Sequence, residues 1–309
     1  MGERTDRVQA DVAHVLALLD EHQVRIARLE GQARRVDADL ARAWELFEGH
    51  DERIARVERA VRIDAVMSWI EHATLTGYPR ISIVLPTRQR SALLGRAVES
   101  VRAQRYPNWE LLVCEDGATP ETEALLAAVD DDRLRYLRGP QAGGCAARNR
   151  GLEAATGELI TYLDDDNRMH PDWLKSVAWA FEQRPDVAIL YGAIIIDDTA
   201  RHHGELGAEM PSVWLEPYGR KALAEANVAD TSAIAHRATL ATRWDEDLVT
   251  LGDWDFLLRA TVEHEPLTLP VVACYYHTDA PSRLTNERQR EREVDRPRIV
   301  DRARAVRPT

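Results

Sequence analysis

Gly157-Glu158-Leu159-Ile160-Thr161-Tyr162-Leu163-Asp164-Asp165-Asp166-Asn167 reads as a buried β-strand that ends abruptly in three carboxylates. The apolar run is short and bounded by Gly157 and a polar cluster, the limits expected of a core strand. Ligands of open α/β sheets bind just beyond the carboxyl ends of the strands, so the aspartates stand where a ligand would lie. Side chains alternate along a strand, so Asp164 and Asp166 point one way and Asp165 the other. Two carboxylates on one side of a strand tip suit a hard divalent cation that also holds phosphate oxygens. A polar loop capping the helix after Pro171 would account for one or two of these acids. It does not account for three crowded against the end of a core strand.

Working outward, the same alternation of short apolar runs and helical segments extends in both directions. Toward the N-terminus stand a strand at 81–85 closed by Pro86-Thr87, a helix near 93–104, and a strand at 110–114 ending at Glu115-Asp116-Gly117. A helix at 121–129 and a strand at 134–137 follow, and a Gly-rich loop at 139–144 leads into a helix through residue 153. Beyond the acidic strand come a helix at 172–183, a strand at 187–196, and a later strand at 271–276 that ends at His277. This order implies a doubly wound, mostly parallel sheet. Its strand tips place Thr87, Asp116 and the Asp164/Asp166 pair along one edge. No GxGxxG follows the first strand and no GxxxxGK[ST] occurs, which disfavours a nicotinamide dehydrogenase and a P-loop NTPase.

Residues 8–61 carry a different pattern. Apolar positions from Val8 to Val61 recur in alternating steps of four and three, and charged residues fill most other places. A heptad repeat of this length predicts a coiled coil. Its simplest use is homo-oligomerisation through residues 8–61, as a parallel dimer. A long helix packed on its own catalytic domain is the other reading. His22 and His50 are polar at seam positions, Gly31 and Gly49 weaken the helix, and Gly49-His50-Asp51 is a candidate turn. The expected organisation is a helical segment at 1–79, an α/β domain at 80–285 and a charged tail at 286–309, read as a solvated helix or disorder.

The chain has 309 residues and a formal net charge of -12, a poor match to nucleic acid or an anionic membrane surface. Its three cysteines, Cys114, Cys145 and Cys274, form no CxxC pair and suggest neither a disulfide framework nor a zinc site. No signal peptide pattern opens the chain and no apolar run is long enough to span a bilayer. The expectation is a soluble, cytoplasmic protein.

Five stretches, in order, then resemble family 2 glycosyltransferases. They are Val84-Leu85-Pro86-Thr87-Arg88-Gln89-Arg90, Cys114-Glu115-Asp116-Gly117-Ala118 and the segment Gly143 to Leu152 with Ala147-Arg148-Asn149. The remaining two are Leu163-Asp164-Asp165-Asp166-Asn167 as a DxD motif, and Leu251-Gly252-Asp253-Trp254-Asp255-Phe256-Leu257-Leu258-Arg259 as the late acidic helix start. The resemblance covers about 80–285 and implies a GT-A fold. It implies a nucleotide-sugar donor, UDP-linked by preference, whose base is held by Pro86, Thr87, Arg88 and the Glu115-Asp116 pair, with Asp116 the preferred acceptor for an imide N–H. Arg148 approaches the diphosphate, where a guanidinium fork suits phosphate oxygens. Asp164 faces the ribose or the metal and Asp165 the donor, and Asp166 holds Mn²⁺ or Mg²⁺, with His277 as a further ligand. Arg283 clamps the diphosphate from a lid.

Asp253 is the expected general base. It takes the proton of an acceptor hydroxyl on a glycan, peptide or small metabolite as that oxygen attacks the anomeric carbon. Asp255 better fits a plain N-cap. The family usually carries Glu before the base; here it is Gly252. Acceptor selection is expected between Asp197 and Arg237, where Trp214, Tyr218, Asn227, Asp230, Thr231 and Ser232 fall. A nucleotidyltransferase would show a Gly-rich loop after the first strand, which is missing. The other alternative is a non-catalytic coiled-coil scaffold with a relic nucleotide-binding sheet.

Overall fold

The computed structural model describes residues 2–197, 212–277 and 289–305. By their contacts two compact units divide the chain, Met1–Glu58 and Arg59–Thr309. Helix α1 runs Gly2–His72, straight through Gly49, so the candidate turn there does not form. Its described seam positions in the first unit, Leu29, Val36, Leu40, Ile54 and Val57, are all more than half exposed. The last turns of α1 behave differently. Ile63 and Ile70 are buried, so the second unit begins within the helix, at Arg59 and not at residue 80.

The second unit is a three-layer α/β/α assembly. Strands β1 (Ile81–Thr87), β2 (Trp109–Asp116), β3 (Leu134–Gly139) and β4 (Leu159–Tyr162) pair in parallel in the order β3-β2-β1-β4. Their register sets Val84 beside Leu112 and Tyr162, and Thr87 beside Glu115. Every residue of β2 is buried, as expected of a parallel strand covered on both faces. Strand alternation sorts the core into two halves. Ile81, Ile83 and Leu85 pack with Leu94 and Val98 of α2 (Ser91–Arg102), Leu126 of α3 (Pro120–Ala127) and Ile70 of α1. Val84, Leu112 and Tyr162 face the other way, onto Ala147 of α4 (Gly144–Ala154).

The far half of the sheet departs from the expected pattern. Strands β5 (Arg168–Met169), β6 (Ile189–Asp197), β7 (Ser212–Trp214), β8 (Ile234–Arg237) and β9 (Leu267–His277) extend the order through β8, β6, β9 and β5, with β7 on β6. Strand β8 is antiparallel to both β4 and β6, so β6 and β9 point the same way as β1–β4 while β5, β7 and β8 oppose them. The sequence reading passed over β5 and β8 because each has only two or four residues and neither alternates cleanly. Helix α5 (Trp173–Gln183) packs Trp173, Val177 and Phe181 on the α2 side. Helices α6 (Arg220–Glu225), α7 (Gly252–Ala260) and α8 (Gln289–Ala305) carry Leu223, Trp254 and Ile299 into the opposite half. The charged tail is therefore not simply solvated: 289–305 is a helix that buries Asp295, Ile299 and Ala303. No helix among the described residues is long and apolar enough to cross a membrane.

Candidate active site

Strand β4 stops at Tyr162, and Asp164, Asp165 and Asp166 stand in a tight turn closed by the Asn167 N–H on the Asp164 carbonyl at 3.1 Å. The pleat therefore does not reach them, and the expected split of Asp164 and Asp166 from Asp165 does not hold. Asp165 and Asp166 instead share the Arg90 guanidinium, at 3.2 and 3.4 Å. Asp164 pairs with Arg148 at 2.7 Å. Thr87, at the tip of β1, donates to Asp165 at 2.7 Å. Burial, together with the neighbouring Asp166 and Asp164 charges, pushes the Asp165 carboxyl up to about 6 despite Arg90.

The Gly-rich loop is tied to β2. Asp116 accepts from the Ala142 and Gly143 amides at 2.6 and 2.9 Å. Gly143, at φ 99°, takes a conformation that L side chains rarely adopt, and it starts α4. Helix α4 then presents Arg148, whose guanidinium lies 4.9 Å above the Trp244 ring and whose Nε is buried without a hydrogen-bond partner. Asn149 locks the Trp244 segment to α4 by accepting from Trp244 N–H at 2.9 Å and donating to the Trp244 carbonyl at 2.9 Å. Glu115, by contrast, is fully buried. Its oxygens accept from the Thr119 backbone and hydroxyl and from the Tyr136 hydroxyl, so they hold the protein together. Pro86 and Arg88 are half-buried beside this edge.

Asp253 lies in the first turn of α7, and its Oδ1 accepts from the Trp254 amide at 2.9 Å. The turn is entered through Leu251, a non-glycine residue at φ 56°, a conformation that costs on the order of 1–3 kcal/mol and persists where the surroundings enforce it. Gly252 is required by space: a Cβ there would stand 2.8 Å from the Cys145 sulfur of α4. The same thiol occupies the place beside the chain that a larger residue at 252 would need. Burial raises the Asp253 carboxyl above its ordinary value; the Trp254 amide and Arg148 oppose that rise, while Asp164 adds to it. Asp255 is not the N-cap. It is fully buried between Arg259, at 2.6 Å, and Arg302 of α8.

Asp230 and Ser232, expected only as part of the acceptor segment, stand against the acidic turn. Asp230 accepts from the Ser232 amide at 2.8 Å, and burial with the Asp164 and Asp253 charges pushes its carboxyl up to about 7. The Ser232 hydroxyl accepts from the Asp164 amide at 3.2 Å and from the Asn167 side chain at 3.0 Å, so the 3-10 turn Thr231–Ala233 ties the acidic turn to β8. Arg90 was visible only as a cation within the first motif, and Ser232 only as a small polar residue before an unrecognised strand.

The acidic turn supplies carboxylate oxygens, the kind of donor a hard divalent cation takes, with Asp165 and Asp166 held on Arg90 and Asp164 on Arg148. The set is not assembled as a cage. Among the described residues no group of three His, Cys, Asp or Glu side chains stands ready to hold a metal. His277, buried at the end of β9, accepts on Nε2 from Arg168 at 2.8 Å. Arg283 lies outside the described residues, as does the stretch 198–211 of the acceptor segment.

Known proteins resemble this chain in sequence and in fold. The chain is 32% identical over 197 residues to the putative colanic acid biosynthesis glycosyl transferase WcaA of Escherichia coli (strain K12), covering 60% of this chain and 67% of the relative. It is 36% identical over 88 residues to the UDP-Glc:alpha-D-GlcNAc-diphosphoundecaprenol beta-1,3-glucosyltransferase WfgD of Escherichia coli, spanning only 35% of that protein. Among solved structures, residues 1–349 of S. aureus TarS in complex with UDP-GlcNAc superpose with a TM-score of 0.53 at 17% identity, over 67% of this chain and 60% of that one. The mannosyltransferase PcManGT of Pyrobaculum calidifontis, in complex with GDP-Man and Mn²⁺, superposes with a TM-score of 0.51 at 15% identity over 82% of each chain. At those identities the two structures establish the fold alone. The model of the family "Glycosyl transferase family 2" matches residues 82–249, from the first core strand to the threshold of the Asp253 helix, and the chain belongs to that family.

Proposed function

We propose that the chain transfers a sugar, with inversion, from a UDP-linked donor to a hydroxyl of a glycan, peptide or small metabolite. One observation carries this reading. Arg148 is paired with Asp164 of the acidic turn and sits electrostatically against Asp253, which brings a diphosphate-sized cation and a candidate base to one place. Thr87 and Asp116 line the nucleotide side, Asp116 through the carboxylate oxygen that the Ala142 and Gly143 amides leave free. Arg148, with its unpartnered Nε, meets the diphosphate.

Asp166 and Asp164 would hold Mn²⁺ or Mg²⁺, with His277 once it parts from Arg168; the bound metal would offset charge on the departing diphosphate. Asp253 takes the acceptor proton as the acceptor oxygen bonds to the anomeric carbon and the bond to the diphosphate oxygen breaks on the opposite face. Titration calorimetry of UDP, GDP and dTDP, each with and without Mn²⁺, tests the reading. UDP should bind with a Kd in the micromolar range, about -8 kcal/mol, only when Mn²⁺ is present, and Asp166→Ala should abolish that binding. If no nucleotide binds under any condition, the glycosyltransferase reading gives way to that of a scaffold.

The exposed seam of α1 supports a separate proposal, that residues 8–61 pair two copies of the chain. Light scattering should give the full chain as a dimer and a chain lacking residues 1–58 as a monomer. The same mass ratio for both would remove the coiled-coil assembly.

A further inference from the structure

The base-bearing turn is held from outside the region shared with the family. Asp295, on α8, is buried, and its Oδ2 accepts three hydrogen bonds from the segment just before Asp253: Val249 N–H at 3.1 Å, Thr250 N–H at 2.8 Å and Thr250 Oγ–H at 2.9 Å. Two further side chains of α8 reach the same region. Arg298 donates to the Asp247 carbonyl at 3.2 Å, and Arg302 bridges Asp245, at 2.7 Å, and Asp255. Apolar packing alone does not fix this stretch: Leu248 is buried and Leu251 packs against the core, but Val249 between them is 46% exposed. Leu251, the residue after Thr250, is the one held at φ 56°, and its conformation aims Asp253. An αL residue that no glycine eases needs neighbours that over-determine it. Asp295 supplies that constraint with one carboxylate oxygen.

We propose that Asp295 is a positioning residue for the general base: it fixes residues 249–250, thereby Leu251, and thereby the direction of the Asp253 carboxylate, so that α8 is a working part of the active site. This rests on the reading of Asp253 as base. The segment belongs to no motif of the family resemblance, and α8 lies beyond the matched residues 82–249.

The test uses the full chain and two variants, Asp295→Ala and Asp295→Asn. Asn keeps an oxygen that accepts from backbone N–H groups. Turnover is followed with whichever of UDP-glucose, UDP-GlcNAc and GDP-mannose the wild-type chain hydrolyses or transfers. Asp295→Ala should lower kcat by about 10- to 100-fold, the cost of displacing a reacting group by about an ångström, with donor KM changed by less than about 3-fold. Asp295→Asn should recover most of the loss. The acidic limb of the kcat–pH profile should move to lower pH in Asp295→Ala, because a loosened turn admits water to Asp253 and relieves the burial that raises its carboxyl. Hydrogen exchange is read in parallel: the Val249 and Thr250 amides should lose protection in Asp295→Ala and keep it in Asp295→Asn. Unchanged kcat, or a loss shared equally by kcat and donor binding with no shift of the pH profile, would overturn the proposal. If the wild-type chain turns over no donor, the assignment of Asp253 fails by itself. The exchange measurement then decides whether Asp295 holds the turn, and unchanged protection of both amides overturns that too.

Discussion

Asp253→Asn is expected to lower kcat by about 10²- to 10⁴-fold, the usual contribution of a positioned general base, while UDP binding with Mn²⁺ stays within about 3-fold of wild type. The substitution keeps size and shape, and the amide can be placed with its oxygen toward the Trp254 N–H that Oδ1 now accepts from. It removes only the proton-accepting charge. The sign of the stability change follows from the raised carboxyl. With its folded pKa above the ordinary value of 3.8, the ionised form is disfavoured in the folded state, so this group lowers stability increasingly as pH rises from 3.8 through its folded value. The Asn variant lacks that cost and should melt at or slightly above the wild-type temperature at pH 8, where a structural role would predict a loss. In the wild type, kcat should fall along an acidic limb lying above the ordinary carboxylate range, because Asp253 must be ionised to act. Retained turnover in Asp253→Asn would remove it as the base, and Asp230, another raised carboxyl in the cluster, would be the next residue to substitute.

Arg148→Ala should weaken nucleotide binding strongly. Arg148 is the cation facing Asp164, and its side chain is only 14% exposed. Removing one partner of a buried ion pair costs about 3–5 kcal/mol, largely through the charge left behind. Here that charge is Asp164, with Asp253 and Asp230 close enough to raise the local negative potential further. A diphosphate arriving there would meet carboxylates with no guanidinium between them. The expected result is a loss of UDP affinity on the order of 10²-fold or more with Mn²⁺ present, measured by calorimetry. Arg148→Lys should recover little of it, since an ammonium has no planar fork to share between Asp164 and a phosphate and stacks poorly over Trp244. Wild-type affinity in Arg148→Ala would mean that the nucleotide lies elsewhere.

What the sequence determined by itself is the local and periodic part of this protein. The runs at 81–85 and 110–114 are short, apolar and punctuated, so strand formation and parallel pairing follow from burial on both faces, while the edge run at 134–137 is only partly buried. The helices between them follow from 3.6-residue periodicity. The acids at 116, 164–166 and 253 were legible as a site because carboxylates at strand ends and at a helix start have no role in a core. The tertiary structure alone decided how those groups are shared out. Strand β4 ends at Tyr162, so the acidic triplet turns where it was expected to alternate, and Arg90 takes two of its members. Glu115 and Asp116 are adjacent in sequence, yet alternation along β2 sends the first into a buried hydrogen-bonded corner and the second to the Gly-rich loop. Asp295, forty-two residues past Asp253 by their numbering, looked like one acid in a solvated tail. It reaches the turn before Asp253 because Ile299 and Ala303 bury α8 against the sheet's helical layer. Periodicity and local charge act over a few residues and can be read in one dimension. Which carboxylate meets which guanidinium depends on chain closure over tens of residues, and only the packed core determines that.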